Sequence, residues 1–292
     1  MSSIEKAIDR LRNASHGKKP QEAAKPDVST TETDNAQAPT SKSVGGEVSP
    51  PPLELSFLPN TRYLMPGCEN KVLFEEYRTI KRPVLMNALG KGAAPIERGN
   101  MIAVTSALPG EGKTYTAVNL ALSIATELDS TVLLIDGDIL KASLSSIFGL
   151  EDNKGLTDLL SDPNTGFGDV LVPTQISKLK IIPAGSKHSH STELLSSDGM
   201  EKLVLELCNR YSDRIILFDT PPLLATTEAT VLLHLMGQIV LVVETGKTPV
   251  DALKESLSKI GEEKVVGMVL NKTNNRFGKT GYGYGGYTAG YY

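Results

Sequence analysis

Between an apolar run at Met101–Thr105 and an apolar helical stretch, the chain reads Ala107-Leu-Pro-Gly-Glu-Gly-Lys-Thr114. That order of residues between strand and helix restricts the fold more than anything else in the sequence. Glycines allow successive backbone N–H groups to turn inward around an anion, and Gly110 and Gly112 supply that freedom. The helix that follows adds the partial positive charge of its N-terminus. In such a loop Lys113 reaches the β and γ phosphates of a nucleotide and the Thr114 hydroxyl ligates Mg²⁺. Ala107 replaces the usual first glycine and is small enough to fit.

The rest of the ordered chain agrees with this loop. The runs Met101–Thr105, Val132–Ile135, Ile215–Phe218, Ile239–Val243 and Val265–Leu270 are short and continuously apolar, the pattern of parallel strands covered on both faces. Helical periods lie between them. Asp198 with Glu201 reads as one helix start, and Thr248 as cap with Pro249 in the first turn as another. The expected fold is a doubly wound α/β domain with a mostly parallel sheet, binding its ligand at the C-terminal strand ends. Two of those ends carry acids: Asp136 and Asp138 after one strand, and Asp219 after a run that closes as Ile215-Ile-Leu-Phe-Asp. Asp219 is placed to hold Mg²⁺ through water. Asp138 also has the ordinary reading of a helix cap. Asn271 ends the last strand, where an amide can read a base or simply form a turn.

Four segments are expected. Residues 1–13 form a short amphipathic helix with Ile4, Ala7, Ile8 and Leu11 on one face. Residues 14–52, which contain no aromatic residue, are too polar to offset their ordering entropy and read as a disordered linker. Residues 53–275 form the nucleotide-binding domain, and 276–292 a flexible glycine-rich tail holding five of the nine tyrosines: Tyr282, Tyr284, Tyr287, Tyr291 and Tyr292. A net charge of −4 argues against a nucleic-acid partner. Cys68 and Cys208 lack metal spacing and suit a reducing cytoplasm. His188 and His190 read as solvent-exposed residues of a polar loop. No apolar run is long enough to cross a bilayer, so membrane association would come through a partner.

Together these residues resemble the bacterial tyrosine kinases, P-loop NTPases related to the MinD/ParA ATPases. In that family Ala107–Thr114 corresponds to Walker A, Leu133–Lys141 to the second motif, Walker A′, and Leu217–Pro222 to Walker B. The resemblance implies an enzyme that uses ATP and Mg²⁺ to phosphorylate its own C-terminal tyrosines in trans between subunits. It implies nucleotide contacts from Pro109, Gly110, Glu111, Gly112, Lys113, Thr114 and Tyr115, with Asn271 beside them. Thr114, Asp136 and Asp219 would organise Mg²⁺, and Lys113, Asp136 and Asp138 would serve catalysis, Asp138 or Asp136 as base. Glu75, Arg78 and Arg82 resemble the family's ring-assembly helix, with an ordinary charged helix face as the competing reading. Within the family the chain resembles the stand-alone cytoplasmic, exosortase-associated exopolysaccharide tyrosine autokinases, which implies a cytoplasmic protein held at the membrane by a chain-length-determinant (polysaccharide co-polymerase) partner and reversed by a phosphotyrosine phosphatase. Two other readings stand beside this one. A MinD/ParA-like regulatory ATPase would carry a signature lysine early in the loop, where this chain has Ala107-Leu-Pro. A scaffold with an adhesive aromatic tail is the second.

Overall fold

The computed structural model describes residues 51–187, 191–210 and 214–273. The expected N-terminal helix, all but the end of the linker, His188, His190 and the tyrosine cluster lie outside them.

The continuous apolar runs become strands because each is buried on both faces by helices. In chain order the strands are β1 (Met101–Ser106), β2 (Thr131–Asp136), β3 (Val172–Pro173), β4 (Leu179–Ile182), β5 (Arg214–Asp219), β6 (Gln238–Glu244) and β7 (Val265–Asn271). They form one sheet in the order β3-β4-β2-β5-β1-β6-β7. Every pairing is parallel except β3 with β4. The helices are α1 (Lys71–Ala88), α2 (Lys113–Ala125), α3 (Ser143–Phe148), α4 (Leu156–Ser161), α5 (Phe167–Val170), α6 (Ser191–Leu195), α7 (Asp198–Arg210), α8 (Thr227–His234) and α9 (Val250–Ile260).

Two hydrophobic clusters flank the sheet. On one side Leu120 and Ile124 of α2 and Phe148 of α3 pack on Ile102, Leu134 and Leu217. On the other, Met200, Val204 and Leu207 of α7 and Leu232 of α8 pack on Met101, Leu133 and Ile216. Removing a leucine or isoleucine side chain fully from water contributes about 1.5–3 kcal/mol each. The doubly wound expectation holds, and the register matters for the site. Asp136 pairs with Asp219 across β2 and β5, and Asp219 pairs with Val104 of β1. Two acids thus end adjacent strands beside the strand that feeds the loop.

Three local expectations are corrected. β7 is not covered on both faces: it is the sheet's edge, with Met268 and Leu270 more than half exposed. Thr248 does not cap α9. Pro249 stands at the N-cap, and the Thr248 hydroxyl instead bonds the Glu244 amide at 2.9 Å and the Glu111 carboxylate. Asp198 is already inside α7, and the Ser197 hydroxyl accepts the Met200 N–H at 3.3 Å. The short pair β3–β4 has no counterpart in the sequence reading. Leu53 joins this edge, donating to the Pro173 carbonyl at 2.8 Å. Among the described residues, no helix is long and apolar enough to cross a membrane.

Candidate active site

The loop after β1 takes its shape from its glycines. Gly110 has φ +85° and Gly112 φ +98°, both in the left-handed region, and Gly112 is the N-cap of α2. A Cβ on Gly112 would lie 2.1 Å from Asn271 Nδ2, so a side chain there is disfavoured by its dihedral and would also displace the Asn271 amide. Ala107 is wholly buried, and its carbonyl accepts the Leu224 N–H at 3.2 Å. A small residue suffices there because the Walker B turn packs directly on it.

The loop is stapled from within and braced from the far strand ends. Glu111, buried, accepts the Leu108 N–H at 2.8 Å through Oε2 and bonds the Thr248 hydroxyl through Oε1. Asn271 Nδ2 donates to the Glu111 carbonyl at 2.8 Å. Lys272 Nζ donates to the Gly110 carbonyl at 2.7 Å and pairs with Glu244 Oε2 at 2.9 Å. These bonds tie the Glu111 and Gly110 carbonyls to the residues that end and follow β7. The Asn271 amide nitrogen is therefore engaged by the loop itself.

Lys113, at the start of α2, is buried and points at the acids. Its Nζ lies 2.6 Å from Asp138 Oδ2 and 3.8 Å from Asp219 Oδ1. Burial disfavours its charge, but Asp219 and Asp138 more than offset that and hold its pKa above the ordinary value. Asp219 is completely buried and neither carboxylate oxygen has a hydrogen-bond partner. Burial pushes it up to about 7, against the pull of Lys113. Asp136 is equally buried but fully engaged. Its Oδ2 accepts from the amide and hydroxyl of Ser145 at 2.8 and 2.7 Å, and its Oδ1 from the Asp138 amide at 3.2 Å. Burial raises it to about 6, restrained by the two Ser145 bonds.

The remaining predicted residues divide. Tyr115 is half-buried and meets Tyr63 in a tilted ring contact, centroids 5.6 Å apart. It lines a cleft of about 580 Å³ with Tyr77, Asn271 and Lys272. Glu75 and Arg78 pair at 3.4 Å on the outer face of α1, both two-thirds exposed, and Arg82 is exposed as well. Lys81, within the same charged stripe, points inward and pairs with Glu127 at 2.6 Å. The sequence reading did not single out Ser145 or Lys272, and it took Thr248 only as a helix cap, not as a partner of Glu111. Ser145 carries no motif, whereas Lys272 adjoins a strand-end residue that was already under consideration.

Comparison with known proteins places this geometry. Residues 99–266 match the AAA domain family. Tyrosine-protein kinase YwqD of Bacillus subtilis (strain 168) is 33% identical over 212 residues, covering 71% of this chain and 85% of YwqD. The chain belongs to the bacterial tyrosine-protein kinases. Tyrosine-protein kinase CpsD of Streptococcus agalactiae is 32% identical over 195 residues, covering 65% of this chain and 82% of CpsD. Among solved structures, the VpsO kinase domain superposes with a TM-score of 0.59 at 29% identity, covering 70% of this chain and 96% of that domain. The family favours the kinase reading over the regulatory ATPase, and the loop of this kinase is a nucleotide-binding loop.

Proposed function

We propose that the kinase transfers the γ-phosphoryl group of ATP to tyrosine hydroxyls of the C-terminal cluster, Tyr282, Tyr284, Tyr287, Tyr291 and Tyr292, in a neighbouring copy. The observation that carries this reading is the juxtaposition of Lys113 with three buried aspartates at the mouth of a phosphate loop. The phenolic oxygen attacks the γ-phosphorus, the bond to the β–γ bridging oxygen breaks, and ADP leaves. Asp138 receives the phenolic proton once Lys113 turns to the phosphates. Most of the acceleration comes from positioning and from cations around developing charge.

The residues fit a divalent cation. A wholly buried carboxylate without a hydrogen bond, Asp219, is costly unless a cation or proton balances it. Thr114 and Asp219 would hold Mg²⁺ together with phosphate oxygens and water, with Asp136 in an outer role because its oxygens are already engaged. Bound there, Mg²⁺ neutralises charge on the phosphates. Pro109 to Tyr115 line the nucleotide site, and Asn271 contributes by bracing the loop.

Glu75, Arg78 and Arg82 form the exposed face we assign to assembly of a ring of copies. The family resemblance supports control of exopolysaccharide chain length, a membrane co-polymerase partner that holds the kinase at the inner face of the membrane and activates it, and a phosphatase that resets the tail. Incubating the purified full chain with ATP and Mg²⁺ tests the reading. Phosphotyrosine on residues 282–292, lost in Lys113→Met, is expected. ATP hydrolysis without tyrosine labelling, even with the partner's cytoplasmic segment added, overturns it.

A further inference from the structure

Ser145 is fully buried in the first turn of α3, and its hydroxyl and amide together make three hydrogen bonds outside the helix ladder. It is not the N-cap, which falls on Ala142. A serine inside a helix commonly bonds back to the carbonyl four residues earlier. Here the hydroxyl donates to Asp136 Oδ2 at 2.7 Å and accepts the Ala184 N–H at 2.8 Å, while the Ser145 amide donates to the same Oδ2 at 2.8 Å. Two donors on one carboxylate oxygen fix both the direction and the plane of the carboxylate. The other oxygen, Oδ1, accepts the Asp138 amide, so the backbone at Asp138 is set by the same group.

The far side of this joint is anchored too. Ala184 belongs to a segment held by Thr157, whose hydroxyl contacts the carbonyls of Ala184 and Ser186 at 3.1 and 2.7 Å. Asp158 accepts the Ser186 amide at 3.0 Å. Ser145, Ala184 and Ser186 line a cleft of about 640 Å³ together with Ile139 and Lys141, which follow Asp138 in the chain.

We propose that Ser145 is a positioning residue for phosphoryl transfer, locking Asp136, and through it Asp138, to the Ala184–Ser186 wall of the cleft. This rests on the kinase reading above. Ser145 touches none of the reacting groups. Its action is to keep two acids from rotating when Lys113 leaves Asp138 for the phosphates.

The test uses the full chain and two variants. Ser145→Ala removes only the hydroxyl and leaves the backbone donor to Asp136. Ser145→Thr keeps the hydroxyl at a residue that borders the cleft. Misplacing a catalytic group by a fraction of an ångström to an ångström can cost up to a hundredfold in rate, so Ser145→Ala should lose about tenfold or more in kcat. Affinity for an ADP analogue should stay within about twofold, and Ser145→Thr should recover most of the rate. Hydrogen exchange of the nucleotide-free protein gives a second readout, in which Ala184 N–H protection falls in Ser145→Ala and returns in Ser145→Thr. A Ser145→Ala kcat within about twofold of wild type, or a loss wholly in nucleotide affinity, or equal losses in both variants, overturns the proposal while leaving the kinase reading intact. Absence of tyrosine labelling by the wild type in the same assay overturns both.

Discussion

Lys113 and Asp138 form an ion pair of 2.6 Å in which the two side chains are only 7% and 5% exposed. An incoming phosphate must compete with that carboxylate for the lysine, and Asp219, 3.8 Å away on the same side, makes the competition three-way. The pair thus ties donor binding to release of the candidate base.

Replacing Lys113 with methionine should remove transfer and also destabilise the nucleotide-free protein. Breaking a buried pair from one side typically costs about 3–5 kcal/mol because the partner charge stays behind. Urea unfolding at neutral pH should show a loss of that order, smaller at pH 5 where Asp219 and Asp136 take up protons. Equal losses at both pH values would contradict the buried geometry.

The pH dependence of stability follows from Asp219 and Asp136. Their folded values, about 7 and about 6, lie above the ordinary carboxylate value of 3.8. Between about pH 4 and pH 7 the native state then binds more protons than the unfolded chain, so this contribution is present at low pH and lost as pH rises. Thermal unfolding without nucleotide should therefore give a Tm that falls from pH 5 to pH 7.5. A divalent cation with nucleotide favours the charged carboxylates, so adding both should flatten or reverse the slope.

Gly112 and Gly110 should respond differently to alanine. Both have positive φ, which costs an L-residue about 1–2 kcal/mol. Only Gly112 also meets Asn271 Nδ2, at 2.1 Å from its built Cβ; Gly110 meets nothing within 4 Å. Titration with a fluorescent ADP analogue should show Gly112→Ala weaker than Gly110→Ala. Adding Asn271→Ala should recover part of the Gly112→Ala loss, giving a measurable coupling in a double-mutant cycle.

Arg78→Ala should leave the subunit's stability nearly unchanged, since exposed ion pairs contribute about 0.2–1 kcal/mol. If the outer face of α1 assembles the ring, light scattering should show smaller particles for the variant under conditions where wild type associates. Unchanged particle size would remove Glu75, Arg78 and Arg82 from that role.

Much of the fold could be read directly because the physics was local. Continuous runs such as Val132–Ile135 were found as strands extended by a residue at either end, and Gly110-Glu-Gly112-Lys-Thr114 announced its loop. What escaped depends on distant partners. The Thr248-Pro249 pattern is a good cap in isolation, but the hydroxyl belongs to Glu111, 137 residues away. The apolar run at Val265 could not reveal that, among the described residues, no strand lies beyond it. Glu111 occupies a variable place in a loop motif, and only the fold shows it buried as a staple. Ser145 meets Asp136 nine residues back and Ala184 thirty-nine ahead, a conjunction no short pattern encodes.

The bracing of Gly110 by Lys272 bears on how shortened or fused versions of this kinase will behave. The residue that steadies the donor loop stands immediately after the final strand, close to where a tag or a stop codon would naturally be introduced to remove the acceptor tyrosines. A chain cut after Leu270 loses both Asn271 and Lys272, and its weakened nucleotide grip would masquerade as the loss of acceptors. Truncations meant to report on the tyrosines alone should retain Thr273.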